Sequence, residues 1–105
     1  MKIAIPLFGD RISPHFGASP EILLVETHDG QIGHQHVVHA GSNDPGKIAR
    51  FLFSCGVNRV VCGGIQRIHK RWLLDNGIEV MDNQKGKAAD VLSIIIGSGV
   101  DCSIC

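Results

Sequence analysis

The sequence predicts a single α/β domain built on a mixed β-sheet. Three observations predict it: strand-like apolar runs open the chain with no helix between them, strand and helix patterns then alternate around glycine turns, and 105 residues with 44% hydrophobic content suffice for one core and no second. The expected division is a domain over residues 1–99 and a cysteine-containing tail over 100–105.

Lys2-Ile3-Ala4-Ile5-Pro6-Leu7 is a short apolar run with the look of a buried strand, stopped by Gly9-Asp10. Glu21 to Thr27 supplies a second strand, His28-Asp29-Gly30 a hairpin turn, and Gln31 to Val38 a third strand antiparallel to the second. Ser42-Asn43-Asp44-Pro45 then announces a helix, because Asp44 can cap it and proline suits its first position. Ile48, Phe51, Leu52 and Cys55 recur at helical spacing, which puts Cys55 on the buried face, and Gly56 fits the left-handed residue past the end. Arg59-Val60-Val61-Cys62 is a fourth strand, broken by Gly63-Gly64, and Gln66 to Asn76 a second helix closed by Gly77. Ile78 to Met81 is the last strand and roughly 87–96 the last helix, stopped by Gly97 and Gly99. The two helical crossovers are expected to be right-handed and to make their strands parallel.

Composition narrows the function. Ten basic side chains balance ten acidic ones, so the positive field that sequence-independent phosphate binding needs is missing and nucleic acid is not an expected partner. Apolar runs such as Ile94-Ile95-Ile96 fall far short of the about 20 residues of a membrane helix, and Met1 to Pro6 lacks a signal peptide's features. A cytoplasmic location is expected, with no membrane partner. Four cysteines there would be reduced, so metal binding or core packing outranks a disulfide framework.

The chemistry-bearing residues gather after strands. Ser13-Pro14-His15-Phe16-Gly17 follows the first strand and Cys62-Gly63-Gly64 the fourth, and imidazole and thiolate are ligands for transition metals and metal-sulfur clusters. Pro14 and Gly17 restrict and free the backbone around His15, which otherwise reads as a loop histidine capping a carbonyl. Cys62 reads equally as a small buried hydrophobe, while Gly63-Gly64 bares the following helix start, a place for an anion. His69 lies one turn into that helix beside Arg67, Lys70 and Arg71, either as part of a solvated basic face or as a second imidazole for an anionic cluster. Cys102-Ser103-Ile104-Cys105 is a CxxC whose sulfurs can reach one metal, half of a four-thiolate zinc or iron-sulfur site. His34 and His36 share one face of the third strand and His39 takes the other; such a pair can chelate a metal, but on a half-exposed strand it is expected to face solvent and stays outside the core site.

Met1 to Pro6, Ser13 to Gly17, Val25-Glu26 before Asp29-Gly30, Val60 to Ile65 and Asn76 to Val80 together resemble the dinitrogenase iron-molybdenum cofactor biosynthesis domain of NifX-type nitrogenase accessory proteins and their small stand-alone relatives. The resemblance covers nearly the whole chain. It implies a three-layer α/β/α, ribonuclease-H-like motif whose five-stranded mixed sheet runs in order 3-2-1-4-5 with the second strand antiparallel. A switch-point crevice then opens between the carboxyl ends of strands one and four. It also implies a binder, not an enzyme: a metallochaperone that stores or transfers an anionic metal-sulfur cluster, an iron-molybdenum cofactor precursor or another Mo- or Fe-containing cluster, between donor and acceptor proteins as a monomer or homodimer. His15 and Cys62 would ligate, and Gly63, Gly64 and His69 would line the site. The CxxC lies outside the family's pattern and leaves open a zinc, iron-sulfur or redox module at Cys102 and Cys105. A ribonuclease-H-like nuclease would need convergent carboxylates, and the first strand has none.

Overall fold

A computed structural model of the chain describes residues 1–17, 21–29, 31–39 and 44–95. The elements run β1 (Lys2–Phe8), β2 (Arg11–Ile12), β3 (Glu21–His28), β4 (Gln31–His39), α1 (Pro45–Ser54), β5 (Arg59–Val61), α2 (Arg67–Asp75) and β6 (Glu79–Met81). A third helix, α3, occupies 88–95.

The result is a mixed α/β fold with a six-stranded sheet. Its path is β4-β3-β1-β5-β6, with β2 paired to β1 alone. β3 is antiparallel to β1 and to β4, whereas β5 is parallel to β1 and to β6. β2 has no counterpart in the sequence reading. It folds back on the end of β1 through Leu7↔Ile12 and Phe8↔Arg11 across a turn at Gly9-Asp10, and two residues are too few to show a period.

Strand alternation sorts the core into two clusters on opposite faces of the sheet. Ala4, Ile22, Leu24, Val60 and Cys62 pack with Ile48 and Leu52 of α1 and Leu73 of α2. Ile3, Ile5, Leu7, Val25 and Val61 pack with Ala88 and Leu92 of α3. Each leucine buried in this way contributes about 2 kcal/mol of transfer free energy, so the helices are held by their apolar stripes more than by propensity.

The caps follow local chemistry. The Asp44 carboxylate accepts the Gly46 N–H at 2.9 Å, with Pro45 in the first turn. Gly56 adopts φ +77° just beyond the helix. Cys55, expected on the buried face, packs against the first of the two clusters as the half-buried residue that ends α1, donating its N–H to Phe51 O at 3.0 Å. No helix among the described residues is long and apolar enough to cross a membrane.

Candidate functional site

Because α1 returns antiparallel to β5 and α2 leaves from β5's carboxyl end, both helices start at the edge where β1 and β5 finish. β1 has β3 on one side and β5 on the other, so the chain's connections diverge there.

The segment after β2 crosses this edge and locks onto the turn after β5. Gly64 donates its N–H to Pro14 O at 2.7 Å and Phe16 donates to Gly64 O at 2.7 Å, which makes a short parallel bridge between His15 and Gly64. Gly63 is required there. A β-carbon on it would lie 2.5 Å from Ser13 O and 2.7 Å from Pro14 O, both backbone atoms. Gly17 (φ +91°) similarly lets the loop touch the start of α1, where a β-carbon would come within 2.8 Å of Pro45 Cα. From below, Asn83 donates to Gly63 O and Gln84 to Cys62 O, each at 2.9 Å. Three connecting segments therefore converge on two glycines.

His15 stands exposed on this platform, with Nδ1 3.7 Å from the point a Gly64 β-carbon would occupy. Cys62 is placed differently. Its exposure is 0%, it packs in the α1–α2 cluster, and burial, reinforced by the Asp82 carboxylate and opposed by Lys70, pushes its thiol from 9.0 up to about 12. The structure thus brings His15 to the Gly63–Gly64 turn but holds the Cys62 sulfur beneath it, protonated and covered.

His69 is half-buried and turned toward α1. With Gly46, Arg50, Ile68 and Trp72 it lines a groove of about 200 Å³ between the two helices, and its Cε1 lies 3.9 Å from the β-carbon position of Gly46. Arg67, Lys70 and Arg71 occupy another face of α2, with Leu74 and Asp75. Lys70 is engaged by Asp82 at 3.2 Å. The cation that shares His69's groove is Arg50, on a helix that the sequence reading had not linked to the site. Only the packing of α1 on α2 relates the two.

α2 itself begins without a side-chain cap and without an acidic residue in its first turn. Its first N–H donors therefore receive no side-chain cap, and the dipole at this end favours negative charge. Cys102 and Cys105 lie outside the described residues.

Comparison with known proteins agrees with this architecture. Residues 1–96 match the family model described as dinitrogenase iron-molybdenum cofactor. The uncharacterized protein MJ0580 of Methanocaldococcus jannaschii is 31% identical over 70 residues, which are 62% of this chain and 59% of that protein's length. The crystal structure of PH0822 superposes with a TM-score of 0.87 at 28% identity, over 93% of this chain and 92% of the other. The apo form of the orange protein from Desulfovibrio gigas shares the fold, with a TM-score of 0.72 at 20% identity over 91% and 88% of the two chains. With the match running through every described strand and helix, the chain belongs to the dinitrogenase iron-molybdenum cofactor family.

Proposed function

We propose that this protein binds and hands on an anionic metal-sulfur cluster, of the iron-molybdenum cofactor type or a related Mo- or Fe-containing kind, and that it makes and breaks no covalent bond of a substrate. The observation that carries the reading is the convergence at the carboxyl edge: an exposed imidazole, His15, fixed on the Gly63–Gly64 turn beside an uncapped helix start, in a chain of this family. The cluster is cargo. His15 supplies an exchangeable ligand, the α2 amides stabilise its negative charge, and His69 with Arg50 flanks it from the α1 side. Cys62 acts in this reading as the apolar floor beneath the turn, since a thiol held at about 12 offers no thiolate near neutral pH. We also assign the fold to the three-layer, ribonuclease-H-like class, supported by the reversed β3 and by helices against both faces.

A nuclease built on the same topology finds less support. Asp10 follows the carboxyl end of β1 while Glu26 pairs with Lys2 at its start, so the two carboxylates stand about 20 Å apart along the strand. Glu26 and Asp82 are each engaged by a lysine.

The test is anaerobic purification with elemental analysis for Fe, Mo, Cu, Zn and acid-labile sulfide, followed by titration of the apoprotein with tetrathiomolybdate as an anionic Mo–S probe. Sulfide with molybdenum or iron, and probe affinity at least tenfold lower in His15→Ala, is the expected result. Zinc alone, without sulfide, would overturn the proposal and move attention to Cys102 and Cys105.

A further inference from the structure

Among the described residues β4 is one of the two outer strands of the sheet, and it is open along nearly its whole length. Eight of its nine residues are exposed, and Gln31–His39 contains no Asp, Glu, Lys, Arg or Pro, the residues with which natural edges discourage further pairing. Its irregularity is the register shift between Glu26 and Thr27, where Gly33 on β4 is skipped, so regular geometry holds from His34 to His39. Within that stretch Glu26↔His34, Leu24↔His36 and Ile22↔Val38 put both imidazoles on one face of the sheet, where they line a shallow hollow with Lys2 and Cys55.

One chain offers a metal too little here. Glu26 is engaged by Lys2 at 3.6 Å, and no group of three or more His, Cys, Asp or Glu side chains able to hold a metal forms among the described residues. A second copy changes the count. Two β4 edges related by a twofold axis pair antiparallel, and in such an interface residue i meets j while j meets i. With the axis at Gln35, His34 of each copy stands opposite His36 of the other. Four imidazoles then share one face, about 6.7 Å apart along each strand and about 5 Å apart across the new pair at Cβ. That set can close around one ion held about 2.0 Å from each ring nitrogen.

We propose that β4 carries a divalent transition-metal site, of the imidazole-preferring zinc or nickel kind, that is completed by a second copy of this chain through His34 and His36. The occupant follows from the strand itself. Its histidines are placed symmetrically about Gln35, the edge has no fixed charge, and the chain's formal charge of zero gives two copies no net repulsion. The site is separate from the His15 edge and does not depend on the function proposed there.

The experiment is a titration of the full-length protein with Zn²⁺, and in parallel Ni²⁺, followed by sedimentation velocity and by metal stoichiometry. The mass should double at one ion per two chains and return to its starting value with EDTA. His34→Ala/His36→Ala should weaken the response at least tenfold, and Val37→Lys, which keeps both imidazoles but places a charge on the edge, should weaken dimerisation with unchanged circular dichroism. Cys102→Ser/Cys105→Ser should respond like the wild type. A mass that stays constant while one ion binds per chain would overturn the proposal, as would doubling that survives the double histidine replacement. Loss of the response in the cysteine variant would place the metal on the tail and overturn it too.

Discussion

A β-carbon at Gly63 would lie 2.5 Å from Ser13 O, whereas Val37 on β4 leaves 48% of its surface to solvent. The same sheet therefore holds a place where three backbone segments interlock and a place where, among the described residues, one backbone is paired on one side alone. At the turn, position is over-determined, and an exposed group such as His15 inherits a fixed location from the main chain below it. On β4 the constraint is one-sided, so new contacts can be added without displacing old ones. Rigidity suits the first to presenting a ligand, and openness suits the second to gaining a partner.

The largest effect that would break this contrast is at the turn. Gly63→Ala should destabilise the protein by about 3 kcal/mol, because the methyl meets backbone oxygens that cannot swing away. Urea unfolding reads it directly. A change under about 0.5 kcal/mol would mean that the loop after β2 yields easily, and the platform under His15 would lose its rigidity.

Cys62 gives a smaller and more diagnostic effect. Cys62→Ala should cost about 1–2 kcal/mol at pH 7, and Cys62→Ser more, since its hydroxyl would enter an apolar cluster. The pH dependence separates this packing role from ionisation. Because the folded thiol titrates near 12 and the unfolded one near 9.0, the stabilisation from Cys62 is complete below pH 9 and is lost as pH rises from 9 toward 12. The slope is at most about 1.4 kcal/mol per pH unit. The advantage of wild type over Cys62→Ala in urea should therefore be constant from pH 7 to 9 and shrink above it. An unvarying advantage at pH 10 would show an accessible thiol of ordinary acidity and return Cys62 to the list of ligands.

Why the sequence pointed to His15 and Cys62 together, while the structure separates them in depth, is a matter of what strand ends reveal. The run Arg59-Val60-Val61-Cys62 followed by two glycines locates the turn, as Asp44-Pro45 locates the start of α1, because both rest on local backbone chemistry. Depth is not local. Cys62 is covered because Ile48 and Leu52 of α1 and Leu73 of α2 pack with it in one cluster, and which side chains meet there is decided by how the helices dock on the sheet. His69 shows the same limit in another form: its spacing to Arg67 and Arg71 is fixed by the sequence, yet whether it faces them or Arg50 depends on the side of α2 that α1 covers. The short β2 was unreadable for want of length, whereas the outer place of β4 agrees with the order 3-2-1-4-5 that the resemblance implies, in which the third predicted strand lies at the edge.

The smallest effect on stability should carry the clearest separation of function. His15 and His36 are both exposed, so His15→Ala and His36→Ala should each change unfolding stability by less than about 0.5 kcal/mol. Their ligands should part company. Tetrathiomolybdate affinity should fall at least tenfold in His15→Ala and stay at the wild-type value in His36→Ala, while zinc-driven doubling of mass should fail in His36→Ala and persist in His15→Ala. A crossed pattern of this kind cannot come from general damage to the fold, since each variant serves as the intact control for the other. If instead one substitution abolished both responses, the two edges would be coupled through the sheet, and the contrast between an interlocked turn and an open strand would no longer describe how this protein divides its chemistry.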